Sequence, residues 1–271
     1  MAVERVDQAL LARGLADSID QARILVMEGR VYLGADKVSK PSDKARPGLP
    51  LSVRGAKQAY VSRGGHKLKK ALDVFGISAQ GAVCIDVGAS TGGFTDVLLR
   101  AGARRVYAVD VGYGQLDYRL RSDGRVCVME RTNARFLTKE MFDPLPALGA
   151  TDVSFISLKA VLPAALSVMA PQSRFVALIK PQFEAAREEV GPRGVVRDRA
   201  VHEKVIAEIA RFVGTLGFCA QGLDFSPITG PEGNIEFLMD IRPAGCARGQ
   251  VDSERITRVL DAAYDKFVKS V

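Results

Sequence analysis

The sequence predicts an α/β protein in which a small N-terminal domain precedes a doubly wound, mostly parallel sheet of seven strands. From residue 83 onward, short apolar runs alternate with helical stretches, a pattern typical of a parallel sheet. The last two apolar runs are separated only by the loop 226–234, which predicts an antiparallel hairpin. The first fifty residues read as two short helices and a β ribbon. We therefore expect two domains, residues 1–60 and 61–271.

The N-terminal pattern has clear start and stop signals. Apolar residues from Val6 onward fit one helix face, which Gly14 ends, and Ser18 can cap a second helix over Gln21–Glu28. Val31–Leu33 and Leu51–Val53 read as strands. Such a short stretch can bury little core of its own, so it is interpreted as a module that presents a surface.

The second domain contains the alternating elements. The tail, residues 251–271, reads as an amphipathic helix that packs on this domain. The predicted strands are Val83–Val87, Arg105–Val111, Val126–Met129, Ala150–Phe155, Phe175–Lys180, Cys219–Phe225 and Ile235–Ile241, and the main helices are Gly93–Ala101, Leu158–Ala170 and Arg199–Leu216.

Composition narrows the class of partner. The net charge of +7 and the pI near 9.3 favour a polyanionic partner. Four widely spaced cysteines and two histidines make a metal site improbable, so none is predicted. No stretch approaches the ~20 apolar residues that cross a bilayer, and the N-terminus lacks the apolar core of a signal peptide. We expect a cytoplasmic protein without a membrane partner.

A glycine-rich turn is the most informative segment. The apolar run that ends at Asp86 is followed by Gly88-Ala-Ser-Thr-Gly-Gly93 and then by a helix. Glycines let the backbone approach a ligand closely, and a helix N-terminus offers free N–H groups. The spacing differs from the dinucleotide fingerprint, and no lysine follows as in a phosphate-binding P-loop.

Further polar residues lie at the ends of predicted strands. Asp110 suits the two hydroxyls of an adenosine ribose, although a helix cap explains it equally well. Asn133 can reach an adenine or simply form a turn. Strand ends converge on the ligand crevice of such a sheet. The charged residues at or near other strand ends are Asp152, Lys180 and Glu236, and Lys67 lies just ahead of the sheet.

Several motifs together resemble one family. Asp86-Val-Gly-Ala-Ser-Thr-Gly-Gly-Phe-Thr95, Tyr60-Val-Ser-Arg-Gly-Gly-His-Lys67, Asp152-Val-Ser-Phe-Ile-Ser-Leu158, Lys180-Pro-Gln-Phe-Glu184 and Gly233-Asn-Ile-Glu-Phe237 look like the TlyA family, often labelled haemolysin A. The front module is similar to the α-L ("S-four") RNA-binding domain. The resemblance implies a Rossmann-like, FtsJ/RrmJ-like methyltransferase domain that uses S-adenosylmethionine, with ribosomal RNA or ribosomal subunits as partner.

The family implies 2′-O-methylation of cytidine in ribosomal RNA by a Lys-Asp-Lys-Glu tetrad, which falls on Lys67, Asp152, Lys180 and Glu236. Lys180 is interpreted either as the base that takes the hydroxyl proton or as the group that stabilises the developing alkoxide, and both roles stay open. The expected cofactor-binding residues are Asp86, Gly88, Ala89, Ser90, Thr91, Gly92, Gly93, Phe94, Asp110, Val111 and Asn133.

Basic residues of the front module, with two from the segment before the sheet, are candidates for RNA contacts. The alternative for these residues is a scattered, solvated face. The candidates are Arg5, Arg13, Arg23, Arg30, Lys40, Arg63 and His66.

Three other functions compete with ribose methylation. A base N-methyltransferase commonly carries an acid or amide followed by two prolines and an aromatic residue, whereas Asp152-Val153-Ser154-Phe155 lacks the prolines. A haemolysin-like, membrane-active protein is the second alternative. A pure RNA-binding factor with a vestigial catalytic domain is the third, and the intact glycine turn and tetrad argue against it.

Overall fold

The computed structural model describes residues 4–16, 18–27, 29–46, 49–54, 59–246 and 250–268. The chain divides into two compact units, Met1–Lys57 and Gln58–Val271. Each unit is built around its own buried apolar cluster.

The first unit contains both predicted helices and both predicted strands. Ser18 accepts a hydrogen bond from the Gln21 backbone N–H at 3.1 Å, so the predicted cap is present. The elements are β1 (Glu4–Arg5), α1 (Val6–Ala12), α2 (Ile19–Met27), β2 (Val31–Leu33), β3 (Asp36–Lys37), β4 (Lys44–Ala45) and β5 (Leu51–Val53). Strand β2 pairs antiparallel with β3 and β5, and β1 pairs antiparallel with β4.

The second unit is built on a sheet that has seven strands within the described residues. Its elements are α3 (Gly65–Val74), β6 (Val83–Val87), α4 (Gly93–Arg100), β7 (Arg105–Val109), α5 (Tyr118–Arg121), β8 (Val126–Met129), β9 (Leu148–Thr151), α6 (Leu158–Ser167), β10 (Arg174–Ile179), α7 (Pro181–Glu184), α8 (Arg199–Thr215), β11 (Phe218–Phe225), β12 (Phe237–Pro243) and α9 (Ser253–Phe267). The strand order is β11-β12-β10-β9-β6-β7-β8. β12 pairs antiparallel with both neighbours, and the pairs among β10, β9, β6, β7 and β8 are parallel, as predicted.

The predicted bounds of the strands were wrong chiefly at the ends that carry the charged candidate residues. Ala150–Phe155 was predicted as a strand, but β9 ends at Thr151 and Phe155 has φ +62°, which a strand cannot contain. The alternation of Val153 and Phe155 with polar residues imitates a strand in sequence. Two polar residues that the sequence predicts inside strands, Lys180 of Phe175–Lys180 and Glu236 of Ile235–Ile241, likewise lie just outside β10 and β12.

Helices cover both faces of the sheet. One apolar cluster joins it to α6, α8 and α9, including the predicted packing of Ile256 and Leu260 of the tail helix. The other joins it to α3 and α4. Arg174 binds α3 to the sheet, because its guanidinium donates to the carbonyls of Phe75 and Gly76 and pairs with buried Asp240 at 2.8 Å. This contact holds the C-terminal end of the helix that carries Lys67 against the sheet.

In the described part of the chain, no helix is both long and apolar enough to cross a membrane.

Candidate active site

The topology of the sheet collects charged side chains at one edge. Parallel strands β9 and β10 end at this edge, just before Asp152 and Lys180. Because β12 runs antiparallel and its Phe237 pairs with Ile179 of β10, the residue preceding β12, Glu236, lies at the same edge. Lys67 arrives there from the first turn of α3.

All four residues predicted as a tetrad form one connected cluster. Lys180 Nζ lies 2.6 Å from Asp152 Oδ1, and Lys67 Nζ lies 2.6 Å from Glu236 Oε2. Lys67 Nζ is also 3.8 Å from Asp152 Oδ2, so Asp152 bridges the two lysines. Lys180 further donates to Ser154 Oγ at 2.8 Å. Two positive and two negative groups balance each other in the cluster.

Burying these charged side chains costs desolvation free energy, which a purely structural role for the cluster would have to offset. Lys67, Lys180 and Glu236 are buried, whereas Asp152 is partly exposed. Burial raises the pKa of the Glu236 carboxyl above its ordinary value, and the attraction of Lys67 opposes that rise. Apolar residues of similar volume often stabilise a core as well as a buried ion pair does. A paired set of charges at a ligand crevice therefore favours a functional role.

Close backbone approach explains the glycines of the turn. Gly88 has φ +85°, and a Cβ there would lie 3.1 Å from the carbonyl oxygen of Asp152 and 3.0 Å from Val153 Cγ1. A Cβ on Gly93 would lie 2.3 Å from Ser62 Oγ and 3.0 Å from the Gly65 backbone nitrogen. The two glycines thus bring the turn against the segments that carry Asp152 and Lys67.

Asp86 lies under this turn, fully buried at the end of β6. Its Oδ2 accepts hydrogen bonds from the backbone N–H and the hydroxyl of Thr95, at 2.9 and 2.7 Å. Its Oδ1 has no hydrogen-bond partner among the described residues. Burial raises the pKa of this carboxyl from 3.8 to about 7, against the opposing effect of the Thr95 bonds. Through Thr95, this buried carboxyl holds the start of α4 against the end of β6.

Asp86→Asn should flatten the pH dependence of stability. With the folded pKa raised to about 7, the stability from neutral Asp86 is fully present below pH 3.8 and is lost as pH rises through about 7. The wild type should therefore lose about 1.4 kcal/mol per pH unit inside that window relative to the variant. Urea unfolding of both proteins at pH 5, 6, 7 and 8 measures the difference, and parallel stability curves would contradict it.

A small cavity adjoins the turn, and Asp110 is one of the residues that line it. Asp110 accepts from the backbone N–H groups of Ser90 and Gly112, at 2.8 and 2.7 Å, and so ties the turn to the end of β7. Asn133 caps the short helical turn at 134–136 by accepting from the Arg135 N–H, and Val111 is largely exposed. Four of the predicted cofactor-binding residues are not among those that line the two cavities: Asp86, Gly92, Val111 and Asn133.

The main cavity, of about 520 Å³, joins the glycine turn to the tetrad. It shares Ala89 and Ser90 with the smaller cavity, so the two form one cleft along the turn. The predicted residues that line the main cavity are Arg63, Lys67, Gly88, Ala89, Ser90, Thr91, Gly93, Phe94, Asp152, Lys180 and Glu236.

Sequence reasoning missed several side chains of this cavity. Ser154 and Phe155 follow Asp152, and Gln182 and Phe183 follow Lys180, so all four stand inside motifs that had already been singled out. They were passed over because uncharged side chains after a strand resemble ordinary loop residues. Arg193 also lines the cavity, on a turn with φ +61°, and no sequence signal marked it.

The predicted RNA-binding residues have mixed surroundings. In the first unit, Arg5 and Arg23 both approach the buried carboxylate of Asp7, at 2.7 and 3.5 Å, so part of their charge is compensated there. Arg13 and Lys40 are exposed, and Arg30 is partly buried and donates to the Arg54 carbonyl. In the second unit, His66 is exposed and packs edge-on against Tyr60, while Arg63 donates to the Thr229 carbonyl.

Comparison with known proteins shows the family of the chain. The model of the FtsJ-like methyltransferase family matches residues 60–242, which is more than half of the chain. The chain belongs to the FtsJ-like methyltransferase family. The S4 domain model matches residues 4–50, so an S4 domain precedes the FtsJ-like domain.

Individual relatives match over most of their length. The 16S/23S rRNA (cytidine-2′-O)-methyltransferase TlyA of Mycobacterium tuberculosis is 45% identical over 88% of this chain and 89% of its own. Hemolysin A of Brachyspira hyodysenteriae is 41% identical over 86% of this chain and 98% of its own. A solved Streptococcus thermophilus structure, described as a candidate hemolysin, is 44% identical with a TM-score of 0.78, covering 100% of this chain and 98% of that one.

The FtsJ-like domain contains both parts of the site. The glycine turn, Asp110 and all four tetrad residues lie within the matched range 60–242. In the described part of the chain, no group of three or more His, Cys, Asp or Glu side chains is arranged to hold a metal ion.

Proposed function

We propose that this chain is an S-adenosylmethionine-dependent methyltransferase that modifies the ribose 2′-oxygen of a cytidine in ribosomal RNA, in the cytoplasm. The observation that carries the proposal is the ion-paired cluster of Lys67, Asp152, Lys180 and Glu236 in the same cavity as the glycine turn. Cytidine and ribosomal RNA are supported by the name of the Mycobacterium tuberculosis relative, and RNA binding by the S4 match.

The residues of the cleft fit S-adenosylmethionine. The turn at Gly88 and Gly93 leaves no room for a side chain on its crowded side, and the cavity that it borders accommodates a ligand of this size. Asp110, which lines the adjoining smaller cavity and is tied to the turn through the Ser90 N–H, suits ribose hydroxyls. When bound, this cofactor supplies an activated, electrophilic methyl group.

The tetrad would then align and activate the acceptor hydroxyl. Lys180, held by Asp152 and Ser154, has a third N–H available to the 2′-oxygen. From that place it orients the oxygen, and it either accepts the hydroxyl proton itself or stabilises the developing negative charge while the proton passes to the carboxylate of Asp152. Lys67 and Glu236, which pair with each other beside Asp152, supply a lysine and a carboxylate that can bind the neighbouring ribose oxygens. A reacting pair held at 3–3.5 Å gains much of its rate from alignment alone.

Labelled methyl transfer tests the proposal. The purified protein is incubated with methyl-labelled S-adenosylmethionine and isolated ribosomal subunits, and the RNA is digested to nucleosides. Label in 2′-O-methylcytidine is the expected result. Label in a methylated base would favour the N-methyltransferase alternative, and cofactor binding without label on either subunit would point to another RNA substrate or to a binding factor.

A further inference from the structure

Two loops supply the reacting half of the site, and they contact each other at both ends. The first, residues 152–157, follows β9, and the second, residues 180–184, follows β10. At the cavity, Lys180 contacts Asp152 and Ser154. Away from the cavity, Glu184 contacts the end of the first loop.

Glu184 receives two short hydrogen bonds from that loop. The Ser157 hydroxyl donates to Oε2 at 2.6 Å, and the Leu158 backbone N–H donates to Oε1 at 2.7 Å. Ser157 is also the N-cap of α6, where its Oγ accepts from the Lys159 N–H. The carboxylate of Glu184 is therefore hydrogen-bonded to the junction between the first loop and α6.

The second loop connects Glu184 rigidly to Lys180. It is a single helical turn with Pro181 at its first position, closed by bonds from Phe183 N–H to the Lys180 carbonyl and from Ala185 N–H to the Pro181 carbonyl. Lys180 and Glu184 hence stand on one short, stiff unit. At the tip of the first loop, Phe155 is 91% exposed and contacts Phe183 at 5.2 Å between ring centres, while Val153 and Ile156 pack against the core.

Keeping the Glu184 carboxylate charged in its surroundings costs free energy that a carboxylate on the open surface would not lose. Burial raises the pKa of its carboxyl, and the two hydrogen bonds from Ser157 and Leu158 only partly offset that rise. The nearby cation Lys159 is 2.8 Å from Glu208, with which it forms an ion pair. Within the described residues no ion pair compensates Glu184.

We propose that Glu184 is a positioning residue that sets the register between the 152–157 loop and the 180–184 turn, and thereby the contact of Lys180 with Asp152. This inference rests on the proposed function for its effect on rate. An error of about 1 Å in such an alignment costs on the order of 100-fold in rate. Binding of the cofactor depends on the glycine turn instead and should not change.

Kinetics of Glu184→Ala and Glu184→Gln test the role. We expect Glu184→Ala to lower kcat for RNA methylation by about 10- to 100-fold, with KM for RNA and the cofactor Kd within about threefold. Glu184→Gln keeps an oxygen for the Leu158 N–H and should recover at least half of the loss on a logarithmic scale. Glu189→Ala is the matched control, because Glu189 lies five residues further along the chain and forms an ion pair with Lys204 near the surface.

Hydrogen exchange gives a readout that does not depend on catalysis. Amides of the 152–158 segment should exchange faster in Glu184→Ala and unchanged in Glu189→Ala, at equal global stability. Unchanged exchange, or a kcat within twofold of wild type, would overturn the positioning role. Parallel losses of kcat, cofactor affinity and melting temperature would also overturn it, since they describe a folding defect. A wild type that fails to methylate RNA counts against the proposed function alone, and the exchange result still decides the role of Glu184.

Discussion

Lys180→Met is expected to abolish methyl transfer while leaving the cofactor bound. Methionine matches the length and the apolar stem of lysine but removes the charge and all three donors. Loss of a group that activates the acceptor and stabilises charge costs about 10²- to 10⁴-fold in turnover. Asp152 keeps Lys67 as a partner at 3.8 Å, so the substitution leaves no isolated buried charge. The fold should survive.

Single-turnover methylation and calorimetric titration of S-adenosylmethionine measure the two halves of this prediction. Lys69→Met is the matched control, since Lys69 forms an exposed pair with Asp73 one helical turn away and should stay within about twofold of wild type. Turnover retained in Lys180→Met would remove Lys180 from the chemistry.

Lys180→Arg separates the two roles that the sequence leaves open for this residue. Arginine stays charged at all accessible pH values, so it can stabilise an alkoxide but cannot accept a proton. Measurable activity in this variant favours charge stabilisation. Activity as low as that of Lys180→Met favours a base.

Gly88→Ala is expected to weaken cofactor binding by at least about tenfold and kcat/KM by at least about 100-fold. A non-glycine residue in the left-handed region costs on the order of 1 kcal/mol or more. The added Cβ would also press on the carbonyl of Asp152, at 3.1 Å, and on Val153. The turn and the tetrad would be displaced together, because Asp152 belongs to both contacts.

Gly217→Ala separates the two causes. Gly217 has φ +80°, and a Cβ there would meet nothing within 4 Å, so this variant carries the conformational cost without the crowding. Both variants should lose comparable stability in urea, whereas only Gly88→Ala should lose cofactor affinity and activity. Equal cofactor affinities would show that the approach of Gly88 to Asp152 has no functional weight.

The sequence predicted the large features because each has a local signal. Alternating apolar runs marked the sheet, and the short loop before Glu236 marked the antiparallel strand, since a crossover helix needs more residues than that loop contains. Glycines flanked by Asp86 and a helix marked the turn. The ends of strands were less certain, because Val153 and Phe155 continue a strand-like alternation after the backbone has left the sheet.

By itself, then, the sequence determined the two-domain α/β architecture, the glycine turn and the identity of the four charged residues. Only the tertiary structure decided how those four pair, because Lys67 and Glu236 are 169 positions apart and meet through the order and direction of strands. It also decided the roles of Asp7, which draws Arg5 and Arg23 to one carboxylate, and of Glu184, which joins two loops. Hydrogen bonds between distant segments depend on packing in three dimensions, and no local spacing records them.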